Sequence, residues 1–170
     1  LVGYINCQLE TLMPSLRDVK DAIANLDKKD KNQLIILLSH IGGIINPDIE
    51  AIAVLCKDEN IILLEDCAHA HGASWNGKKP GIWGDAGVYS FYATKTISTG
   101  EGGMLVTRNK DLLEFAKKYR NYGKFDYKVD GLNYRMNEFS AAIGCVQTDR
   151  LDDIVAWKNE KYSDRWIRLY

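Results

Sequence analysis

The sequence predicts an α/β fold, a mostly parallel sheet with helices on both faces. Short apolar runs alternate along the chain with amphipathic stretches of helical period. The runs at 34–39 and 61–64 are apolar at consecutive positions, the pattern of strands buried on both faces. The segments between them carry helix-start signals, so successive strands are joined by crossovers of helical length.

The elements follow in order. Leu1–Cys7 reads as a strand. Pro14-Ser15 then opens a helix, with Ser15 and Asp18 as a capping box and Leu16, Val19, Ile23 and Leu26 as its apolar stripe. Asp27–Asn32 is charged and turn-like, and Leu34–Ser39 is a buried strand. Pro47-Asp48 starts a second helix with Ile49, Ile52, Ala53 and Cys56 on one face. Ile61–Leu64 is the next strand and ends in Glu65-Asp66. An Asn-Gly turn lies within Trp75–Gly81, and Ala86–Phe91 and Gly103–Thr107 are two further strands. Helices are predicted at Lys110–Tyr119 and Asn137–Val146, the second continuing through Leu151 towards a long C-terminal helix.

Composition excludes several classes of function. The 170 residues suit one domain or a large piece of one, and 46% hydrophobic with 26% charged residues suits a packed core. A formal net charge of −1 without blocks of like charge leaves no electrostatic footprint for nucleic acid or an anionic membrane. The longest apolar runs are too short to span a bilayer, and no secretory signal pattern opens the chain. Cys7, Cys56, Cys67 and Cys145 form no Cys-x-x-Cys pair, and His40, His69 and His71 lack zinc-ligand spacing to them, so no metal site is expected. Four reduced cysteines point to the cytoplasm. The chain opens at Leu1 in a strand-like run without a Met, which reads as a fragment.

In open parallel sheets, ligands bind beyond the carboxyl ends of the strands, and Asp66, His69, Ser90 and Lys95 all fall at or just past predicted strand ends. An acid there reads, by itself, as a helix N-cap. The functional reading has Asp66 facing a cleft and bonding a cationic ring nitrogen, with His69 three residues on over the same face. Lys95 stands among small and hydroxylated residues and precedes Gly100-Glu101-Gly102-Gly103, a turn that allows close backbone approach. Ser90 and nearby N–H groups suit a phosphate. In Gly131–Glu138, Asn133 or Asn137 reads as a helix cap, and Arg135 as a surface ion-pair partner.

Taken together, these stretches resemble the DegT/DnrJ/EryC1/StrS family of pyridoxal-phosphate (PLP)-dependent sugar aminotransferases, of aspartate-aminotransferase fold type I. The pattern E-D-x-A-[QH]-x-x-G is matched by Glu65, Asp66, Ala68, His69 and Gly72. S-F-x-x-x-K followed by G-E-G-G is matched by Ser90, Phe91, Lys95 and Gly100–Gly103, and G-x-N-x-R-M by Gly131, Asn133, Arg135 and Met136. The resemblance covers nearly the whole chain. It implies that Lys95 carries pyridoxal 5'-phosphate as a Schiff base and that Asp66 pairs with the ring nitrogen. His69 would lie near the phenolic oxygen, and Ser90 would bind the phosphate. Asn133 would reach the phosphate of a neighbouring subunit's cofactor, which makes the active unit a homodimer.

It further implies that residues 1–150 are a partial PLP-binding large domain. Residues 151–170 would then begin the helix leading to a C-terminal small domain. The family's upstream glycine-threonine phosphate loop and ring-stacking aromatic have no match before the first strand. The 170 residues alone are therefore expected to be inactive. The implied reaction moves an amino group from a donor such as glutamate to a nucleotide-linked keto sugar. Dehydratase relatives carry histidine where this chain has Lys95, which favours amino transfer over a sugar dehydratase or lyase. A regulatory homologue without activity is the non-enzymatic alternative.

Overall fold

The computed structural model describes residues 2–26, 34–124 and 126–166, the last five as backbone. The predicted turn at Asp27–Asn32 lies outside the described residues. The elements run α1 (Leu16–Ala24), β1 (Ile35–Ser39), α2 (Ile49–Asp58), β2 (Ile62–Asp66), β3 (Ala86–Ser90), β4 (Gly103–Val106), α3 (Lys110–Tyr119), α4 (Glu138–Asp149) and α5 (Leu151–Trp166). The four strands form one sheet in the order β1-β2-β3-β4. β1, β2 and β3 are mutually parallel, and β4 returns antiparallel to β3. This is the predicted mixed α/β class.

Local chemistry explains the helix starts. The Ser15 hydroxyl accepts from the Asp18 N–H, and the Asp18 carboxylate accepts from the Ser15 N–H, completing the capping box. Asp48, which precedes α2, turns its carboxylate to the Leu16 N–H at 2.8 Å instead, so the two helix starts are tied together. Asn109 caps α3, and Asn137, not Asn133, caps α4. The Asn-Gly signal is a tight hairpin: Asn76 and Gly77 have φ of 49° and 74°, and Trp75 bridges Lys78.

Two sequence expectations fail. Residues 2–7 form no strand: Tyr4 is 96% exposed, and the segment makes no ladder pairing among the described residues. The first of the expected strand–helix–strand crossovers is therefore absent, leaving β1-α2-β2 as the helical one. The consecutive apolar run of β1 also does not mean burial on both faces. Ile36 and Leu38 are buried, whereas Ile35 and Leu37 are 54% and 61% exposed.

The core lies on the α1/α2 side, where Val19, Ile36, Leu38, Ile49, Ile52 and Leu63 pack together. At about 1.5–3 kcal/mol for each fully buried aliphatic side chain, this face supplies most of the drive to fold. On the opposite face Ile35, Leu37, Ile62 and Val88 stay exposed among the described residues. No helix among them is long and apolar enough to cross a membrane.

Candidate active site

Strand register places the rim residues. Ser39 pairs with Asp66 and Asp66 with Val88, so Asp66, Ser39 and, two residues past Val88, Ser90 share one face at the carboxyl ends of three parallel strands. It is the face opposite the α1/α2 core. Glu65, one residue before Asp66, points the other way and is fully buried.

Asp66 is held from two sides: the Ala68 N–H donates to Oδ1 at 2.9 Å, and the Ser39 hydroxyl donates to Oδ2 at 3.2 Å. No helix follows it, so the N-cap reading becomes a turn cap. A carboxylate has about four acceptor sites, so these two bonds orient the group and leave capacity for a cationic N–H. The His69 Nδ1 accepts from the Gly42 N–H at 3.3 Å, which leaves Nε2 to carry the proton of the neutral ring. The Ser90 Oγ accepts from the Tyr92 N–H at 3.3 Å.

Lys95 lies half-buried in the turn after β3, its backbone N–H donating to the Tyr92 carbonyl. Its side chain makes no ion pair or hydrogen bond among the described residues. The following turn needs glycine: Gly100 has φ of 83°, and a Cβ on Gly102 would come within 2.7 Å of the Met136 Cε.

Lys95 and His69 line one cavity of about 210 Å³, together with Gly42, Ala68, Thr94 and Thr96. Asp66 and Ser90 stand at the same rim but not on this cavity's wall. Asn133 lies elsewhere, exposed, its Oδ1 accepting from the Arg135 Nε at 3.2 Å. Arg135, expected as an ion-pair partner, instead bonds Asn133 and lies over the Tyr122 ring, 5.7 Å from its centroid.

Sequence reasoning missed two features. The Glu65 carboxylate accepts four bonds, from the His40 Nε2 and the Gly81 N–H on one oxygen and from the Trp83 and Gly84 N–H groups on the other. Burial alone would raise its pKa, but the bonds from His40, Gly84 and Gly81 outweigh that and hold it below the ordinary carboxylate range. Two acids in succession at a strand end must face opposite ways, and that was the available signal. The ligand atoms of His40, Glu65 and Cys67 lie within 4.8 Å of one another. The cluster is nonetheless a saturated hydrogen-bond network, because the His40 Nδ1 also accepts from the Asn46 N–H.

The second missed feature is His71, buried between the rings of Tyr89 and Phe91, neither of its nitrogens completing a hydrogen bond. Burial lowers its pKa, the nearby Ser90 backbone opposes this, and the charges of Lys95, His69 and Lys158 add to the lowering, which favours the neutral ring. Nothing in residue type or spacing announced it.

Burial also sorts the cysteines. It pushes the Cys56 thiol up to about 11, and burial with the Glu65 charge pushes Cys67 up to about 12, whereas Cys7 and Cys145 are exposed. Iodoacetamide at pH 8 is expected to label Cys7 and Cys145 in the native protein and all four cysteines after denaturation, as read by peptide mass.

Residues 2–164 match the profile of the DegT/DnrJ/EryC1/StrS aminotransferase family. The chain is 36% identical over 163 residues to a GDP-perosamine synthase of Escherichia coli O157:H7, covering 92% of this chain and 43% of that protein. The aminotransferase of Psychrobacter cryohalolentis superposes with a TM-score of 0.79 at 28% identity, over 88% of this chain and 40% of that one. A GDP-4-keto-6-deoxymannose-3-dehydratase variant with bound GDP-perosamine superposes with a TM-score of 0.82 at 25% identity, over 95% and 46% of the two chains. The chain thus spans less than half the length of these relatives.

Proposed function

The chain belongs to the DegT/DnrJ/EryC1/StrS aminotransferase family, and on that premise we propose that it is the cofactor-binding core of a PLP-dependent enzyme that aminates a nucleotide-linked keto sugar. The observation that carries this reading is the shared cavity of Lys95 and His69 at the strand rim, whose wall includes Ala68, a residue that orients the Asp66 carboxylate.

The residues fit the group. An amine without an ion pair among the described residues, an imidazole and small neighbours line an open cavity, with a carboxylate and a serine hydroxyl on the adjoining strand ends. Lys95 would hold pyridoxal 5'-phosphate through its amine, and that amine, when free, would move a proton at the carbon that gains or loses nitrogen. Asp66 would stabilise a protonated ring nitrogen, His69 would serve the phenolic oxygen, and Ser90 would bond the phosphate. When bound, the cofactor supplies the electron sink for that carbon.

Asn133, exposed and outside the cavity, would serve the phosphate in a second subunit, which makes the working unit a homodimer on this reading. The exposed Leu132, Tyr134 and Phe139 nearby suit such a contact. Residues 1–150 belong to the large domain, and α5 leads towards the small one. Free cysteines suit the cytoplasm.

The dehydratase reading draws on the likeness to the dehydratase fold, and Lys95 weighs against it. The test is the half-reaction with glutamate. The full-length protein loaded with PLP is expected to convert the cofactor to its amino form and release 2-oxoglutarate, as read by absorbance and by assay of the keto acid. Cofactor that binds but stays unchanged selects the lyase, and failure to bind PLP selects the inactive homologue.

A further inference from the structure

The parallel strands β1 and β2 run out in two consecutive polar residues each, Ser39-His40 and Glu65-Asp66, and these meet on both faces of the sheet. On the core face His40 and Glu65 join at 3.1 Å, and on the rim face the Ser39 hydroxyl donates to the Asp66 Oδ2 at 3.2 Å. The backbone closes the same corner, since the His40 N–H donates to the Asp66 carbonyl at 3.0 Å. Moving Ser39 away from Asp66 would disturb the adjoining His40, whose buried ring bonds Glu65 and accepts from the Asn46 N–H. The Ser39 hydroxyl is thus carried on a backbone anchored from behind.

The residue type at this position departs from its strand. Ile35, Leu37 and Ser39 share one face of β1, as Ile62, Leu64 and Asp66 do on β2. Both the apolar pattern and strand propensity favour a third aliphatic side chain after Ile35 and Leu37. The face turns polar instead at the register position that lies against Asp66. The two bonds on that carboxylate also differ in kind. The one from the Ala68 N–H to Oδ1 is local, two residues on, and is a standard Asx-turn contact. With it alone the carboxylate could pivot about one anchored oxygen. The Ser39 bond comes from 27 positions back, holds the other oxygen and so fixes the plane of the group. Ser39 itself does not line the Lys95 cavity, so whatever it does there it does through Asp66.

We infer that Ser39 is a positioning residue for the cofactor: its hydroxyl sets the plane in which the Asp66 carboxylate meets the ring, and with it the preference of the site for a ring that carries a nitrogen there. This rests on the functional reading above, in which Asp66 serves the ring nitrogen, and adds the residue that aims it. A bond aimed in advance loses less freedom when the ligand arrives, which is where the affinity comes from.

The test is calorimetric binding to the full-length protein freed of cofactor. The probes are pyridoxamine 5'-phosphate and its carbocyclic analogue, in which C–H replaces the ring nitrogen. Neither has an aldehyde to react with Lys95, so the ratio of their affinities reports the ring nitrogen alone. Ser39→Ala is expected to lower that ratio by about threefold to tenfold, the scale of one net hydrogen bond, by weakening the pyridine probe and sparing the analogue. Ser39→Thr keeps the hydroxyl on a side chain suited to a strand and should keep the ratio. Asp66→Asn should lower it further than Ser39→Ala does. An unchanged ratio in Ser39→Ala beside a lowered one in Asp66→Asn overturns the role of Ser39 and leaves the functional reading standing. Equal weakening of both probes in Ser39→Ala also overturns it, because that marks a loosened rim, as does a Thr variant that behaves like Ala. An unchanged ratio in Asp66→Asn removes Asp66 from the ring nitrogen, and the role of Ser39 falls with it.

Discussion

Replacing Lys95 with alanine is expected to abolish amino transfer while leaving the fold intact. Positioned proton transfer by a side chain is typically worth about 10²–10⁴ in rate, and on the proposed function the variant would also lose covalent attachment of the cofactor. The cost to stability is small, because the Lys95 side chain makes no ion pair or hydrogen bond among the described residues, and its backbone bond to Tyr92 survives the substitution. Surface-type changes of this sort stay within about 0.5 kcal/mol. Three measurements separate chemistry from structure. Borohydride reduction should leave labelled cofactor on the Lys95 peptide of the parent and none on the variant. The glutamate half-reaction should vanish, and the urea midpoint should not move. Added methylamine should restore part of the half-reaction in Lys95→Ala, since a diffusing amine can take up the missing proton-transfer role. Retained activity without rescue would remove Lys95 from the chemistry.

Much of this site was legible in the sequence because its residues lie at strand ends, and strand ends are marked by local signals. Asp66 and Ser90 follow apolar runs, Lys95 precedes glycines, and register then brings neighbouring strand ends to one rim. The helix boundaries were legible for the same reason: Ser15, Asn109 and Asn137 are capping residues whose bonds are local. What the sequence could not convey was tertiary. Leu1–Cys7 has strand composition, but the described part pairs with no other segment, and pairing is what makes a strand. Ile35 and Leu37 match buried residues in type, yet burial depends on what covers them. The Ser39 bond to Asp66 joins residues 27 positions apart, and the bonds at Glu65 come from a loop 16–19 residues on and from His40, 25 residues back.

That Glu65 network yields the largest stability effect. Glu65→Ala would leave the His40 N–H and the backbone N–H groups of Gly81, Trp83 and Gly84 buried without an acceptor. Breaking a buried charged network from one side costs about 3–5 kcal/mol, a large share of the roughly 5–15 kcal/mol that holds a typical domain together. Glu65→Gln is the more informative variant. Its carbonyl oxygen can keep either the Trp83 and Gly84 pair or the His40 and Gly81 pair, and its amide then points donors at the other pair. His40 cannot relieve this by changing tautomer, because its Nδ1 already accepts from Asn46. A loss of about 1–3 kcal/mol at neutral pH is expected, the cost of buried donors left unsatisfied. The pH dependence fixes the sign. Glu65 is held below its ordinary value in the folded state, so its contribution is complete above the unfolded pKa of about 4.3 and is lost as pH falls through the folded pKa. Urea unfolding of the full-length protein should therefore show a parent-minus-Gln gap that is constant from pH 7 to about pH 5 and narrows below about pH 4.3. A gap that widens in acid would mean that Glu65 is protonated in the fold, and the carboxylate would then not be what orders the 81–84 loop behind the Asp66 rim.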